Sequence, residues 1–290
     1  MEYVKRIGLF LIVNFLVIIV LGFILKLLGI EGEGVTSLLI MSVLWGMGGS
    51  FISLLISKWM AKRSYSIQII DPASLGSWSG IYNMVKKLAE KNNLPVPEVG
   101  IYDSPEPNAF ATGATKKSSL VALSTGLVNM MDDRQVEAVV GHEMAHIKNG
   151  DMVTLTLLTG IANAFVIFIS RIIIMFLGSA TRTQSSRSGL GTMAYPAVVM
   201  ILQVVLMILA NIVLAAFSRH REYRADEGSA KTTSADAMAS ALAKLGGYTG
   251  QFDRKDSFAM AKIDFKKGLA LFRTHPPIED RIKRLREMRF

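Results

Sequence analysis

Apolar residues fall in four long runs, and the charged residues gather between them. Residues 7–25 carry only Asn14 as a polar interruption. Residues 35–57 hold no charge, and Gly46, Gly48 and Gly49 there would let a second helix come close. Residues 152–170 lead into Arg171 and then more apolar sequence to Leu177. Arg171 reads as the end of a span or as a side chain that snorkels to the interface. Residues 192–217 are uncharged, with Pro196 near their start. A bilayer takes about 20 apolar residues to cross, so the pattern predicts four transmembrane helices in two hairpins. Lys5 and Arg6 resemble the start of a signal peptide. The apolar core behind them is too long, and no small-x-small cleavage site closes it, so the run reads as a retained anchor.

The stretches between the runs have the pattern of a folded domain. Ile81, Met84, Val85 and Leu88 stand at helical spacing within residues 75–92. Asn93 to Pro97 break that helix. Residues 98–102 and 120–124 read as strands, residues 108–113 as extended, and Thr125-Gly126 as a turn. Asp132 or Asp133 can cap the next helix, and Gln135 completes a capping box if Asp132 is the cap. That helix passes through Val136, Val139 and Val140 and stops at Asn149-Gly150. After the fourth run come a small-residue helix at 235–245, a polar loop at 251–256 and a basic, helical tail at 278–288. The expected fold is a mostly α membrane protein: four hydrophobic transmembrane helices and an α+β domain with a short sheet. Its parts are a hairpin at 1–57, a domain segment at 58–151, a second hairpin at 152–217 and a second domain segment at 218–290.

Composition agrees with a membrane protein. Hydrophobic residues make up 51% of the 290, and charged residues 19%, against about 25% in soluble domains. The net charge of +9 can mean nucleic acid, but no zinc-knuckle, RNP-like or helix-turn-helix signature is present. Basic residues flanking spans account for it, and no nucleic-acid partner is expected. Lys5 and Arg6 precede the first run, Lys58, Lys62 and Arg63 follow the second, and Arg219, Arg221 and Arg224 follow the fourth. The positive-inside rule then puts both termini and residues 58–151 in the cytoplasm. Arg182 and Arg187 in the link 178–191 oppose that rule for the second hairpin, which can instead pack on the domain without crossing. With no cysteine, disulfides and thiol catalysis are excluded, and a metal site must be built from His, Asp and Glu.

Of the four histidines, His142 and His146 stand in the run His142-Glu143-Met144-Ala145-His146. Positions i and i+4 of a helix share a face, so both imidazoles can point at one ion. Glu143 lies off that arc, where it can reach the attacking water as general base. A catalytic zinc takes three protein ligands and keeps one position open. The third ligand must come from elsewhere, because no histidine follows His146 by six residues. Glu222, Asp226, Glu227, His220 and His275 are candidates. Glu222 and Asp226 are four apart in a segment, 218–226, that reads as the first turns of a helix leaving the membrane. The reading favours Glu222 as ligand, with Asp226 orienting a ligand imidazole.

These segments resemble the HtpX-type family of heat-shock membrane metalloproteases, related to the CAAX-prenyl proteases. The resemblance rests on residues 141–151 (Gly141 to Asp151) and 217–226 (Phe217 to Asp226). It also rests on Pro107 to Gly113 and on Thr274-His275-Pro276-Pro277, and it covers nearly the whole chain. It implies a zincin-like domain with one zinc per chain held by His142, His146 and Glu222, and Glu143 catalytic. It also implies degradation of misfolded or damaged membrane proteins at the cytoplasmic face of the bacterial inner membrane.

Two further segments are weaker candidates, each with a structural alternative: a buried turn held by the Asn108 side chain, and a histidine before proline that serves only the loop. Asn108, Ala109 and Phe110 resemble the family's strand beside the cleft, whose edge can bind an extended polypeptide by strand addition. His275, fixed by two prolines, can donate to the oxyanion or fill the open metal position. The expected activity is a membrane-anchored zinc endopeptidase acting on unfolded or membrane proteins. The rivals are an intramembrane metalloprotease, which would bury its motif in an apolar span, and a membrane scaffold or holdase with a structural, four-ligand zinc. A transporter is disfavoured because the runs carry few ionisable groups.

Overall fold

The structure is a computed structural model that describes residues 19, 23, 33–74, 76–180, 194–247 and 273–288. The first apolar run, apart from Ile19 and Phe23, and the loop at 251–256 lie outside the described residues. The chain divides into two units, residues 1–53 with 155–214 and residues 54–154 with 215–290. In chain order the elements are α1 (Glu33–Ser64), β1 (Gln68–Ile69), α2 (Ser79–Lys91), β2 (Glu98–Tyr102), β3 (Ala109–Thr112) and β4 (Leu120–Ser124). They continue with α3 (Thr125–Met130), α4 (Asp133–Asn149), α5 (Asp151–Ala180), α6 (Ala194–Thr232), α7 (Ala235–Gly247) and α8 (Ile278–Glu287).

Three described helices are long and apolar enough to cross a membrane: Gly34–Ser64, Asp151–Met175 and Ala197–Thr232. In the first unit, Val35, Leu39, Val43 and Met47 recur every four residues and pack on Ala164, Phe168 and Ile172. Gly46 sits against the partner backbone, where an added Cβ would come 2.4 Å from the Ala164 nitrogen. Gly48 and Gly49 have nothing within 4 Å in that direction, so one of the three glycines makes the close approach. Met200, Ile201, Val204, Val205, Ile208 and Val213 are exposed on α6. Only 6% of that span's most apolar stretch is buried within the molecule. In water such a surface would be strongly unfavourable, and in lipid it is the ordinary one.

The second unit is built on a four-stranded mixed sheet of order β1-β2-β4-β3. β2 and β4 run parallel, and β1 and β3 are antiparallel edge strands. Alternation sorts the side chains between two faces. Val99, Ile101, Val121 and Leu123 join Val85 and Leu88 of α2 and Val136, Val140 and Met144 of α4 in the main core. Tyr102, Leu120 and Ala122 point to the other face, with Ile67 and Phe110. Leu88 and Leu120 are fully buried, each contributing about 1.5–3 kcal/mol. A third cluster joins Ala138, Ala230, Met238, Leu242 and Leu285, and so ties α4, α6, α7 and α8 together.

The sequence reading differs from the structure in three local ways. Residues 125–130 form a short helix beyond a simple turn, because the Ser124 side chain caps it at the Leu127 N–H. β1 was not expected; its two residues pair with Ile101 and Gly100, too short a segment to have a sequence pattern of its own. Residues 218–226 do not start a new helix. They continue α6, which has no proline after Pro196 and no glycine before Gly228. At 1.5 Å per residue its 39 residues extend about 58 Å, well beyond a hydrocarbon core of about 30 Å. The polar part from Ser218 onward is the surplus.

Candidate metal and catalytic site

α4 is fixed at both ends. The Asp132 carboxylate accepts the Gln135 N–H at 2.9 Å, and the Gln135 side chain returns a bond to Asp132. At the other end Gly150 takes φ +71°, the left-handed conformation that glycine adopts without strain. Between these stops His142 and His146 lie one turn apart on a buried face. The polar end of α6 crosses that face closely. A Cβ on Gly228 would meet the Ala145 Cβ at 2.6 Å, and the Ser229 hydroxyl donates to the Ala138 carbonyl at 2.6 Å. This crossing brings Glu222 to the two histidines.

The three side chains bring their donor atoms close together. His142 Nε2 and His146 Nε2 are 3.2 Å apart. Glu222 Oε2 is 3.4 Å from His142 Nε2, and Oε1 is 3.3 Å from His146 Nε2. Ligands about 2.0–2.1 Å from a tetrahedral zinc lie about 3.3 Å from one another, which is the spacing of each of these pairs, with one oxygen of Glu222 facing each imidazole. These are the three residues able to hold a metal ion among the described residues.

Each donor is held from behind. Asp226 Oδ1 lies 2.9 Å from His142 Nδ1, and Asp151 Oδ2 lies 2.6 Å from His146 Nδ1. His275 Nδ1 stands 2.9 Å from Glu222 Oε2. Arg281 donates from Nε and Nη2 to both oxygens of Asp226, and Arg221 lies 3.9 Å from Asp151 and from Glu222. Four carboxylates (Glu143, Asp151, Glu222, Asp226) face two guanidiniums, leaving two negative charges (4 − 2) for a dication to neutralise. The histidines register the same excess. Burial acts to lower His142, but the carboxylates of Asp226 and Glu222 outweigh it and raise the imidazole to about 9. Burial likewise opposes charge on His146, yet Asp151 and Glu222 raise it. The donor set and its charge therefore fit a divalent metal.

Glu143 points to another partner: its Oε2 accepts the Ala111 N–H at 2.8 Å. Ser124 N–H donates to the Asn108 carbonyl, so residues 108, 110 and 112 pair with β4. The backbone groups of Ala109 and Ala111 thus face the open edge of β3. The Ala109 side chain packs toward the core under α4. Phe110 points to the opposite face, among Tyr65 and Tyr102. Asn108 is exposed at the start of the strand. Of the remaining sequence candidates, His220 is exposed, and Glu227 pairs with Lys231 at 2.5 Å.

The sequence assigned no role at the site to Asp151, Arg221 or Arg281. Asp151 had a local signal, since it stands directly after the Gly150 stop and five residues from His146. Arg281 had none, because it reaches the site from 55 residues beyond Asp226.

The profile of peptidase family M48 matches residues 79–289. The chain is 45% identical over 292 residues to the protease HtpX of Tolumonas auensis, covering 98% of this chain and 100% of that one. It is 44% identical over 286 residues to the protease HtpX of Escherichia coli strain K12, covering 97% of each. The crystal structure of S. mikatae Ste24p shares the fold, with a TM-score of 0.60 at 16% identity. The likeness covers 91% of this chain and 66%, just under two thirds, of that one.

Proposed function

Because this chain belongs to peptidase family M48, we propose that His142, His146 and Glu222 hold one zinc ion and that Glu143 is the general base of a membrane-anchored endopeptidase. The chain is a metallopeptidase with membrane-spanning helices. The two Nε2 atoms 3.2 Å apart, each with one oxygen of Glu222 at 3.3–3.4 Å, carry the assignment of ligands. Zinc bound there supplies Lewis acidity that polarises the scissile carbonyl and makes water a competent nucleophile near neutral pH.

The residues around it have separate tasks. Glu143 takes the proton from the attacking water and passes it to the leaving amine. The Ala111 N–H fixes one of its oxygens. Asp226 and Asp151 set the orientation of the two imidazoles, and His275 and Arg281 steady Glu222 and Asp226. The open edge of β3 offers backbone groups to an extended polypeptide, which favours unfolded chains over folded ones.

The arrangement bears on the rival readings. α4 packs on a sheet and pairs Glu137 with Lys87 and Lys148 with Asn92, surroundings that suit water better than lipid. A structural zinc calls for four ligands, and His275 directs Nδ1 to Glu222. The basic residues Lys58, Lys62 and Arg63 on α1 and Arg219, Arg221 and Arg224 on α6 support a cytoplasmic catalytic region of a bacterial inner-membrane protein. We assign it residues 58–151 and 218–290, with hydrophobic hairpins at 1–57 and 152–217. Misfolded or damaged membrane proteins are the substrates that fit this placement.

Glu143→Gln tests the reading. The purified variant is expected to keep about one zinc per chain while losing cleavage of casein. Undiminished cleavage would remove Glu143 from the mechanism.

A further inference from the structure

On the sheet face opposite α4, a hollow of about 470 Å³ opens at the start of β3. It lies within the volume range of small-ligand pockets. Its walls include Tyr65, Tyr102, Asp103, Glu106 and Asn108. The exposed ring of Tyr65 stands 5.2 Å from that of Tyr102 and presents aromatic surface of the kind that attracts cations. Tyr102 is only 3% exposed, and its hydroxyl completes no hydrogen bond.

The two carboxylates set the polarity. Asp103 Oδ1 accepts the Thr125 hydroxyl at 3.0 Å, and both acids are exposed. Among the described residues no Lys, Arg or His lies within ion-pair distance of either one, although the chain carries a net charge of +9.

Position along β3 links this hollow to the cleft. A strand added antiparallel to β3, the more stable pairing, runs from Thr112 toward Asn108. Its C-terminal half therefore approaches the hollow. Ala111, which holds Glu143, and Asn108 are three residues apart, about 10 Å at about 3.3 Å per residue. Side chains of the added strand level with Asn108 and Phe110 project to the same face as Phe110, which is the face of the hollow.

We propose that this hollow is a substrate subsite that takes a lysine or arginine side chain about three residues C-terminal to the scissile bond. The proposal rests on the peptidase reading above and on substrate addition at the β3 edge. The cationic head lies between Asp103 and Glu106, and its aliphatic stem lies along Tyr65. Peptides with a basic residue on that side are preferred over otherwise identical neutral ones.

Internally quenched peptides that differ only in Lys, Gln or Glu at that position, turned over by the zinc-loaded full-length enzyme in detergent, test the idea. The enzyme is expected to favour Lys over Gln by about fivefold in kcat/KM, as one partly exposed ion pair allows. Asp103→Asn combined with Glu106→Gln should bring that ratio near one. Asparagine keeps an acceptor for Thr125. Glu106→Lys, a change at an exposed position, should turn the preference toward Glu. A wild-type enzyme indifferent to the three residues, or a preference that survives the double substitution, would overturn the subsite while cleavage of the Gln peptide left the peptidase intact. Failure of the zinc-loaded enzyme to cleave any of the peptides or casein would count against the peptidase reading itself.

Discussion

Arg281 grips Asp226 with two hydrogen bonds, 2.8 Å from Nε and 2.6 Å from Nη2. The two residues are buried, and Asp226 in turn lies 2.9 Å from His142 Nδ1. α8 thus acts through one carboxylate on the imidazole proposed as a metal ligand. Breaking a buried pair by removing one partner leaves an uncompensated charge and costs about 3–5 kcal/mol. Arg281→Ala is therefore expected to lower the unfolding temperature and weaken zinc binding by about 10–100-fold. Arg281→Lys keeps the charge but loses the fork, and should recover stability more than zinc affinity. Thermal unfolding and competition with a zinc chelator measure the two effects. Unchanged affinity in Arg281→Ala would make Asp226 independent of its clamp.

The crossing of α4 and α6 depends on a missing side chain. At Gly228 a Cβ would stand 2.6 Å from the Ala145 Cβ, and neither helix backbone can move without carrying Glu222 or the histidines with it. Gly228→Ala should destabilise the domain by about 1–3 kcal/mol and reduce bound zinc after dialysis. Ala145→Gly removes the clashing methyl, so the double variant should regain zinc. No recovery in the double variant would show that the contact is not what Gly228 serves.

Removing the metal should reverse the response of the site to alkali. In the metal-free chain the folded His142 imidazole is raised from 6.5 to about 9, burial being outweighed by Asp226 and Glu222. A raised value contributes stability that is fully present below about 6.5 and is lost as pH climbs through about 9. Zinc needs the neutral ring, so its affinity rises over the same window. Chelator-treated protein is expected to melt at progressively lower temperature from pH 6.5 to 9.5, while zinc-loaded protein does not follow. A flat profile for the stripped protein would contradict the assigned proton on His142.

The sequence by itself determined the parts with local causes. The capping box at Asp132 and Gln135, the stop at Gly150, strands 98–102 and 120–124, and the apolar runs 35–57, 152–170 and 192–217 all follow from side-chain type and spacing within a few residues. The i,i+4 placement of His142 and His146 is of that kind. The tertiary structure decided what requires residues far apart in the chain to meet. Glu222 reaches the histidines because Gly228 and Ser229 let α6 lie against Ala145 and Ala138. Asp226 owes its geometry to Arg281. The same backbone sends Ala109 toward α4 and Phe110 to the opposite face. The Gly228 contact depends on atoms fitting at 2.6 Å, and hydrophobic periodicity, which reports only which face is buried, carries no information about that.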